Sequence, residues 1–169
     1  TRILLGRLNA MTLIVGETFL FGHHRGGDLT LLRRLARGRL RVTPIPPMRS
    51  SGEPISSSRI RRAIAQGRLG EAKRLLGEAP KLYGTVVRGA GRGRRLGVPT
   101  ANLRLGSDVL PPDGVYAVQV YAAGEKPVRR GVMNLGVRPT FGGGARVCEV
   151  HLLDFSGNLL GRKVAVSLL

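Results

Sequence analysis

The second half of the chain is a succession of short strand-like segments with no helical pattern between them, and this feature constrains the fold most. Five such segments follow residue 82 or so: LYGTVVRG, GVYAVQVYA, VRRGVMNLG, RVCEVHLLDF and KVAVSLL. The segments PPDG, AAGEKP, FGGG and SGN separate them and are rich in residues that favour turns. About five or six short strands without a helix predict a small antiparallel barrel or sandwich.

The first half has a different pattern, in which strands and helices alternate. MTLIV (11–15) is a short apolar run that predicts a buried parallel strand. DLTLLRRLAR follows with Asp28 as a candidate N-cap and predicts a helix. Three leucines fall on or near one face of that helix: Leu29, Leu32 and Leu35. LRVTPIPP predicts a second strand that stops at prolines, so this order indicates an α/β region with a parallel sheet.

Two short helices are predicted before the strand-rich half begins. In ISSSRIRRAIAQG (55–67) a serine cap precedes an apolar face, and LGEAKRLLG (69–77) ends at a glycine. We place the domain boundary near EAPKLYG (78–84). The predicted fold class is therefore α/β plus all-β, with an α/β domain over residues 1–80 and a small antiparallel β-barrel over 81–169.

The charge balance points to anionic partners. The chain has 28 basic and 10 acidic residues and a formal net charge of +18. Nucleic acid, nucleotides, phosphates and acidic membranes are all attracted to such a protein. Aromatic residues make up 4% of the chain and Trp is absent, which argues against a single-strand nucleic-acid reader that stacks bases. The alternative is that the arginines simply form a solvated surface.

One cysteine, Cys148, excludes an internal disulfide and a multi-cysteine zinc site. It predicts a buried, reduced thiol in a cytoplasmic protein. No apolar run approaches the roughly 20 residues that span a bilayer, and we expect no membrane partner. The start, TRILLGRLNAM, lacks the pattern of a signal peptide. Because it begins with Thr and not Met, we expect that it is not the natural start.

The segment RGAGRGRRLG (88–97) is a candidate phosphate-binding loop. Its glycines let the backbone approach a ligand and direct N–H groups at phosphate oxygens. Arginines in the same loop can add charge-assisted contacts. The candidate residues are Gly89, Gly91, Arg92, Gly93, Arg94, Arg95 and Gly97. The loop matches neither a Walker A motif nor a dinucleotide fingerprint, and a mobile hairpin loop is the alternative.

The segment PTAN follows this loop and is a candidate metal-binding element. Pro99 fixes the backbone torsion φ and stiffens the approach. Thr100 and Asn102 lie two residues apart, so in an extended chain their side chains face the same way. Their oxygens are of the kind that suits Mg²⁺, which also shares the phosphates of a substrate. The alternative is that Thr and Asn satisfy local backbone groups in a turn.

The segment VCEVHLLDF predicts a strand with two different faces. Cys148, Val150 and Leu152 would face the core, with Glu149 and His151 on the opposite face. A glutamate is usually just solvated, but beside a phosphate-binding loop Glu149 could accept a proton from a substrate hydroxyl. The three histidines of the chain have no spacing typical of a metal site.

The segment SSSRIR (56–61) combines a serine-rich helix start with basic residues. A helix N-terminus with hydroxyls and free N–H groups is a natural phosphate site. The candidate nucleotide-binding residues here are Ser57, Ser58 and Arg61. Plain N-capping by serine is the alternative.

Taken together, these segments resemble the bifunctional riboflavin kinase/FMN adenylyltransferases, the bacterial FAD synthetases, over part of their length. The kinase-like segments occur in family order: GTVVRGAGRGRRLGVPTANL (84–103), LPPDGVYAVQV (110–120), MNLGVRPTF (133–141) and CEVHLLDF (148–155). VGETFLFGHHRGGD (15–28) and ISSSRIRRAIAQGRLGEAKRLLG (55–77) resemble the later part of the adenylyltransferase domain.

The resemblance implies a kinase barrel that moves the γ-phosphoryl group of ATP to the 5′-hydroxyl of riboflavin. It implies that Thr100 and Asn102 bind Mg²⁺–ATP, that Gly89 to Gly97 cover the phosphates and that Glu149 is the catalytic base. The implied ligands are riboflavin, FMN, FAD and ATP/ADP, with no nucleic acid. The oligomeric state does not follow from the sequence.

The resemblance assigns residues 1–80 to a partial nucleotidyltransferase domain, in which SSSRIR matches a nucleotide-binding signature. The family's early His-x-Gly-His motif, which cradles ATP phosphates, is not in this sequence. We therefore do not expect this chain alone to adenylylate FMN. The family also continues beyond VAVSLL with a strand and a helix. Two alternatives stay open at this point: a basic nucleic-acid-binding protein, and a catalytically inactive fragment of the enzyme.

Overall fold

A computed structural model describes residues 2–89, 99–107, 109–122, 128–137 and 146–169. The chain divides into two compact units, Thr1–Ile55 and Ser56–Leu169. In the described ranges, no helix has the length and apolar character needed to cross a bilayer.

The first unit is a small α/β region. A π-helical segment, Arg2–Arg7, precedes the first strand, and a short 3₁₀ turn, His23–Arg25, precedes the α-helix. The main elements in chain order are β1 (Thr12–Gly16), α1 (Leu29–Ala36), β2 (Arg41–Ile45), β3 (Arg49–Ser50) and β4 (Glu53–Pro54). Strands β1 and β2 pair in parallel, and β3 pairs with β4 in an antiparallel hairpin. The predicted strand–helix–strand order with parallel pairing is thus confirmed.

Two details of burial in this unit differ from the prediction. The run MTLIV was predicted to be a buried strand, but Ile14 is 61% exposed, because the described sheet has only two strands. In α1, Leu35 is 44% exposed, and Ala36 is buried instead. Ala36 lies seven residues after Leu29 and so returns to the same helical face, which packs toward β2.

The predicted N-cap of α1 is confirmed: the backbone N–H of Leu31 donates to Oδ1 of Asp28 at 2.8 Å. Replacing Asp28 by Ala removes this acceptor and is expected to destabilise the first unit by about 1 kcal/mol. Asp28→Asn keeps an oxygen acceptor and should retain most of the stability. Urea denaturation followed by circular dichroism measures both variants, and equal stabilities for Ala and Asn would contradict the capping role.

The second unit begins with two helices, α2 (Ser57–Ala65) and α3 (Leu69–Leu76), which pack on each other. The hydroxyl of Ser56 caps α2 by accepting from the N–H of Arg59 at 3.2 Å. Glu71 of α3 pairs with Arg68 at 2.7 Å and with Arg59 at 3.5 Å. Helix α3 ends at Gly77 with a φ of +78°, a left-handed conformation that glycine adopts without strain.

Both helices group with the strand-rich part of the chain, since the compact units divide between residues 55 and 56. Leu69 at the start of α3 packs against the apolar core of the strands. The boundary at residues 80 and 81 separates predicted functional domains, and it stays a prediction.

Six strands close into an antiparallel barrel, as predicted. They are β5 (Lys81–Val87), β6 (Thr100–Leu105), β7 (Gly114–Ala122), β8 (Arg129–Val137), β9 (Arg146–Leu152) and β10 (Lys163–Leu168). Around the barrel the order is β10, β5, β6, β9, β8, β7 and back to β10. Five of these strands match the predicted segments, and β6 is the additional one.

The interior of the barrel is filled by alternate residues of every strand. All members of this core are nearly or fully buried, and all except Leu159, which lies between β9 and β10, belong to the strands: Leu82, Val86, Leu103, Val118, Val120, Met133, Leu135, Cys148, Val150, Leu152, Leu159, Val164, Val166 and Leu168. Because successive side chains of a strand point to opposite faces, the residues between them face outward, although Ser167 on this face is also buried. The alternation therefore decides which side chains of β6 and β9 share a face.

Candidate active site

Strand β6 carries the two predicted metal ligands on one face. Leu103 is buried in the barrel and Ala101 packs against the same core. Thr100 and Asn102, which alternate with them, therefore share the outer face, as predicted from their spacing. The segment PTAN thus leads from Pro99 into a strand and is not a turn.

Strand β9 brings Glu149 beside Asn102. In the antiparallel ladder Glu149 pairs with Asn102, and His151 pairs with Thr100. Side chains of directly paired residues have Cβ atoms about 4.5–5.5 Å apart. Cys148, the neighbour of Glu149, is buried, so the predicted division of this strand into a core face and an outer face is confirmed.

Asn134 lies next to Glu149 on the other side from Asn102, and it was not identified from the sequence as a candidate site residue. It lies on β8 directly opposite Glu149. The flanking residues Met133 and Leu135 are buried, so Asn134 is on the outer face. The available signal was a polar residue between two apolar ones in MNLG. The row Asn102–Glu149–Asn134 places a carboxylate between two carboxamides.

Gly89 lies against the side chain of Asn102. A Cβ atom built on Gly89 would overlap the carboxamide group of Asn102. The absence of a side chain at position 89 thus lets the segment just after strand β5 approach Asn102 closely. The other loop residues predicted to bind phosphate lie outside the described residues: Gly91, Arg92, Gly93, Arg94, Arg95 and Gly97.

Replacing Gly89 by Ala is expected to displace the Asn102 side chain and to destabilise the barrel by about 1–3 kcal/mol, as overpacking does. Gly106→Ala is the matched control, because its nearest neighbour would be the Tyr83 carbonyl oxygen at 3.9 Å. ¹H–¹⁵N spectra report the position of the Asn102 side-chain amide, and urea denaturation reports stability. An unmoved amide in Gly89→Ala would contradict the close approach.

A cleft of about 820 Å³ opens beside the start of β6, which is within the usual size range of small-molecule sites. Thr100 and Asn102 line it, whereas Glu149 and His151 do not and instead lie on the neighbouring strand, paired with Asn102 and Thr100. The other lining residues are Val86, Val87, Arg88, Gly89, Pro99, Ala101, Val150, Leu152, Phe155, Ser156, Gly157, Asn158, Leu159 and Leu160. The cleft therefore combines an apolar wall with side-chain oxygens.

Phe155 is the aromatic residue of this cleft, and it is held from two sides. The guanidinium of Arg129 stacks over its ring at 4.2 Å from the centroid, a favourable cation–π contact. A Cβ on Gly157 would come within 2.7 Å of Cε2 of the same ring. The ring thus has a fixed place in the wall of the cleft.

The helix-start residues are not part of this cleft. Ser57, Ser58 and Arg61 are exposed on α2 and do not line it. Since Ser56 caps the helix, a capping role explains the first serine of SSSRIR. Nucleotide binding by the other three residues stays a prediction. In the described part of the chain, no group of three His, Cys, Asp or Glu side chains could hold a metal ion.

Cys148 sits beside this row on the inner face, and its pKa is raised from 9.0 to about 11 by burial and by the negative charge of Glu149. At neutral pH this reduces the thiolate fraction about 100-fold relative to an ordinary thiol. We expect iodoacetamide to label Cys148 at least that much more slowly in the folded protein than in urea. Equal labelling rates would contradict the assignment.

The Cys148 thiol also makes the free energy of unfolding depend on pH. The thiol of the unfolded chain ionises above about pH 9, while the folded state keeps the proton until about pH 11. Stability contributed by Cys148 is therefore complete below pH 9 and is lost between pH 9 and 11.

Comparisons with known proteins show what the chain is similar to. The sequence model of the flavokinase family, described as riboflavin kinase, matches residues 76–169. The chain is 41% identical over 167 residues to the bifunctional riboflavin kinase/FMN adenylyltransferase of Escherichia coli K12, covering 98% of this chain and 53% of that protein. The protein of the same name from Haemophilus influenzae is 39% identical over 165 residues, covering 96% and 53%.

A solved structure of a protein described as a macrolide-efflux protein from Streptococcus pneumoniae is also similar. It superposes with a TM-score of 0.80 at 34% sequence identity, over 97% of this chain and 53% of that chain. The chain thus spans about half the length of the curated relatives it matches.

Proposed function

The chain belongs to the riboflavin kinase (flavokinase) family, and on that premise we propose that its barrel transfers the γ-phosphoryl group of ATP to the 5′-hydroxyl of riboflavin. The products are FMN and ADP. The observation that carries this proposal is the pairing of Glu149 with Asn102 beside the cleft, because it puts a potential base next to a potential phosphate and metal site.

Glu149 is proposed to accept the proton of the riboflavin hydroxyl. As the hydroxyl oxygen forms its bond to the γ-phosphorus, its proton passes to the carboxylate, and the bond from the γ-phosphorus to the bridging oxygen of ADP breaks. The carboxylate has two acceptor oxygens, and Asn102 and Asn134 flank it in the ladder. Positioning and charge stabilisation supply most of the acceleration in phosphoryl transfer.

Thr100 and Asn102 are proposed to hold the nucleotide with Mg²⁺. Their hydroxyl and carboxamide oxygens share one face of β6, and both line the cleft. Hard oxygen donors of this kind fit Mg²⁺, which when bound would neutralise charge on the phosphates. Gly89, which leaves room for the Asn102 side chain, is proposed to begin the phosphate-covering loop that continues through Gly91, Gly93, Arg94, Arg95 and Gly97.

The apolar wall of the cleft is proposed to take a planar ring of one substrate. Phe155 lines this wall and Arg129 covers its ring, so the side chain is proposed to supply apolar contact area to the substrate ring. The cleft thereby offers apolar side chains to the ring system of a ligand and side-chain oxygen atoms to its phosphate groups.

Residues 1–80 are proposed to be a partial FMN adenylyltransferase-like nucleotidyltransferase domain, followed by the kinase domain at 81–169. The support is the parallel β1–α1–β2 unit and the similarity of nearly the whole chain to the bifunctional relatives. In this domain Ser57, Ser58 and Arg61 are proposed to contact a nucleotide.

Incubation with riboflavin, ATP and Mg²⁺, followed by chromatographic separation of riboflavin, FMN and FAD, tests the proposal. FMN that requires ATP and disappears with EDTA is the expected result. FAD in the same reaction would show that the first domain is active as well. No FMN from protein with native circular dichroism would contradict the proposed kinase activity.

A further inference from the structure

A side-chain contact ties the start of β6 to strand β9. Nδ1 of His151 lies 2.8 Å from the carbonyl oxygen of Pro99, across 52 residues of sequence. We infer that His151 is a positioning residue, which clamps the Pro99 carbonyl and so holds Thr100 and Asn102 in place for the nucleotide. The consequence for nucleotide binding rests on the proposed function, whereas the clamp itself does not.

The direction of the hydrogen bond follows from its partners. The Pro99 carbonyl oxygen has no proton and can only accept, so Nδ1 of His151 donates. A neutral imidazole has one N–H group, and here it must be on Nδ1. This tautomer is the uncommon choice for a solvated histidine, so it is a specific and measurable consequence of the contact.

The position of the His151–Pro99 hydrogen bond explains how it could fix the start of β6. His151 pairs with Thr100 in the ladder, and its ring reaches back to the residue before that partner. The Pro99 carbonyl and the Thr100 N–H belong to one rigid peptide plane, so fixing the oxygen fixes the orientation in which β6 begins. Pro99 has no N–H group to donate to a neighbouring strand, which leaves this junction dependent on another contact.

His151 contacts the strand, because its Nδ1 atom is engaged by the Pro99 carbonyl oxygen. Pro99, Thr100 and Asn102 all line the cleft, and His151 does not. Loss of the clamp should therefore weaken nucleotide binding and leave riboflavin binding unchanged. The proton-accepting group, Glu149, lies on the same strand but pairs with Asn102, so its backbone position does not depend on the clamp.

Two variants of His151 separate the hydrogen bond from the bulk of the ring. Leu fills similar space without a donor, while the Nδ2 group of Asn is the same number of bonds from the backbone as Nδ1. We expect His151→Leu to raise the KM for Mg·ATP about three- to tenfold, the value of one net hydrogen bond. His151→Asn should restore it to within about twofold of the parent, and the KM for riboflavin should change in neither variant.

NMR spectroscopy tests whether the His151–Pro99 hydrogen bond exists, and this test does not require enzyme activity. In the parent chain, long-range ¹H–¹⁵N spectra of the neutral His151 ring should show the proton on Nδ1 and a bare Nε2. The Thr100 amide should exchange with solvent faster in His151→Leu than in His151→Asn. A proton on Nε2, or equal KM values for the Leu variant and the parent in an active enzyme, would overturn the inference. An inactive chain with the Nδ1 tautomer would instead count against the kinase proposal alone.

Discussion

Replacing Glu149 by Gln should lower kcat for riboflavin phosphorylation by about 10²–10⁴-fold, the usual contribution of a general base. The amide keeps the shape of the side chain and its place opposite Asn102, but it cannot accept the hydroxyl proton. KM for Mg·ATP should change little, since Thr100 and Asn102 are untouched. Initial rates of FMN formation at saturating substrates measure the effect.

Glu78→Gln is the matched control. Glu78 is 64% exposed and pairs with Lys81, so the control removes the same charge from the same unit without touching the site. Its kcat should equal that of the parent. A Glu149→Gln enzyme with full kcat would contradict the assignment of the base.

The same variant has an effect that does not depend on activity. Glu149 is one of the two causes of the raised pKa of Cys148. Removing its charge should therefore lower the pKa of the thiol, although burial keeps that pKa above the ordinary value. A shift in the pH dependence of iodoacetamide labelling would confirm that residues 148 and 149 are arranged as described.

Leu135→Ala should produce the largest loss of stability, about 2–5 kcal/mol. Leu135 is 1% exposed on β8, and its truncation leaves a cavity in the centre of the barrel. The closed sheet offers its neighbours little freedom to collapse into that space. The free energy of unfolding in urea, followed by circular dichroism, measures this loss.

Leu153→Ala is the comparison within the same unit. Leu153 is 43% exposed immediately after β9, so the same change in side chain should cost less than about 1 kcal/mol. Similar losses for both variants would mean that the barrel interior is not the principal source of stability.

Local pattern was sufficient for most of the fold. Alternation of apolar and polar residues identified the buried face of β9, with Cys148 and Val150 inward and Glu149 outward. The N-cap at Asp28 and the helix stop at Gly77 were equally local signals. The strand β6 was not among the segments identified as strands, although TANLRL alternates polar and apolar residues, because its first apolar position is the small Ala101 and the segment follows a Gly/Arg-rich stretch.

The arrangement of the site could not be predicted from sequence, because it depends on which strands become neighbours. The pairing of Asn102 with Glu149 and of Glu149 with Asn134 requires the order β6, β9, β8 and one exact register. A shift of one residue would turn each of these side chains to the other face. Likewise, nothing near Pro99 in the sequence indicates its contact with His151. The burial of Ala36 in place of Leu35 shows that the exact rotation of a helix depends on tertiary packing.

Following the γ-phosphoryl group itself tests whether the chain transfers it to riboflavin. ATP labelled with ³²P at the γ position is mixed with riboflavin, Mg²⁺ and the chain, and the flavins are separated from nucleotides and inorganic phosphate. A riboflavin kinase should give label in FMN, unlabelled ADP in equal amount, and loss of this transfer in Glu149→Gln. Label that stays in ATP, or appears only as inorganic phosphate, while the protein is folded, would contradict the proposed kinase activity.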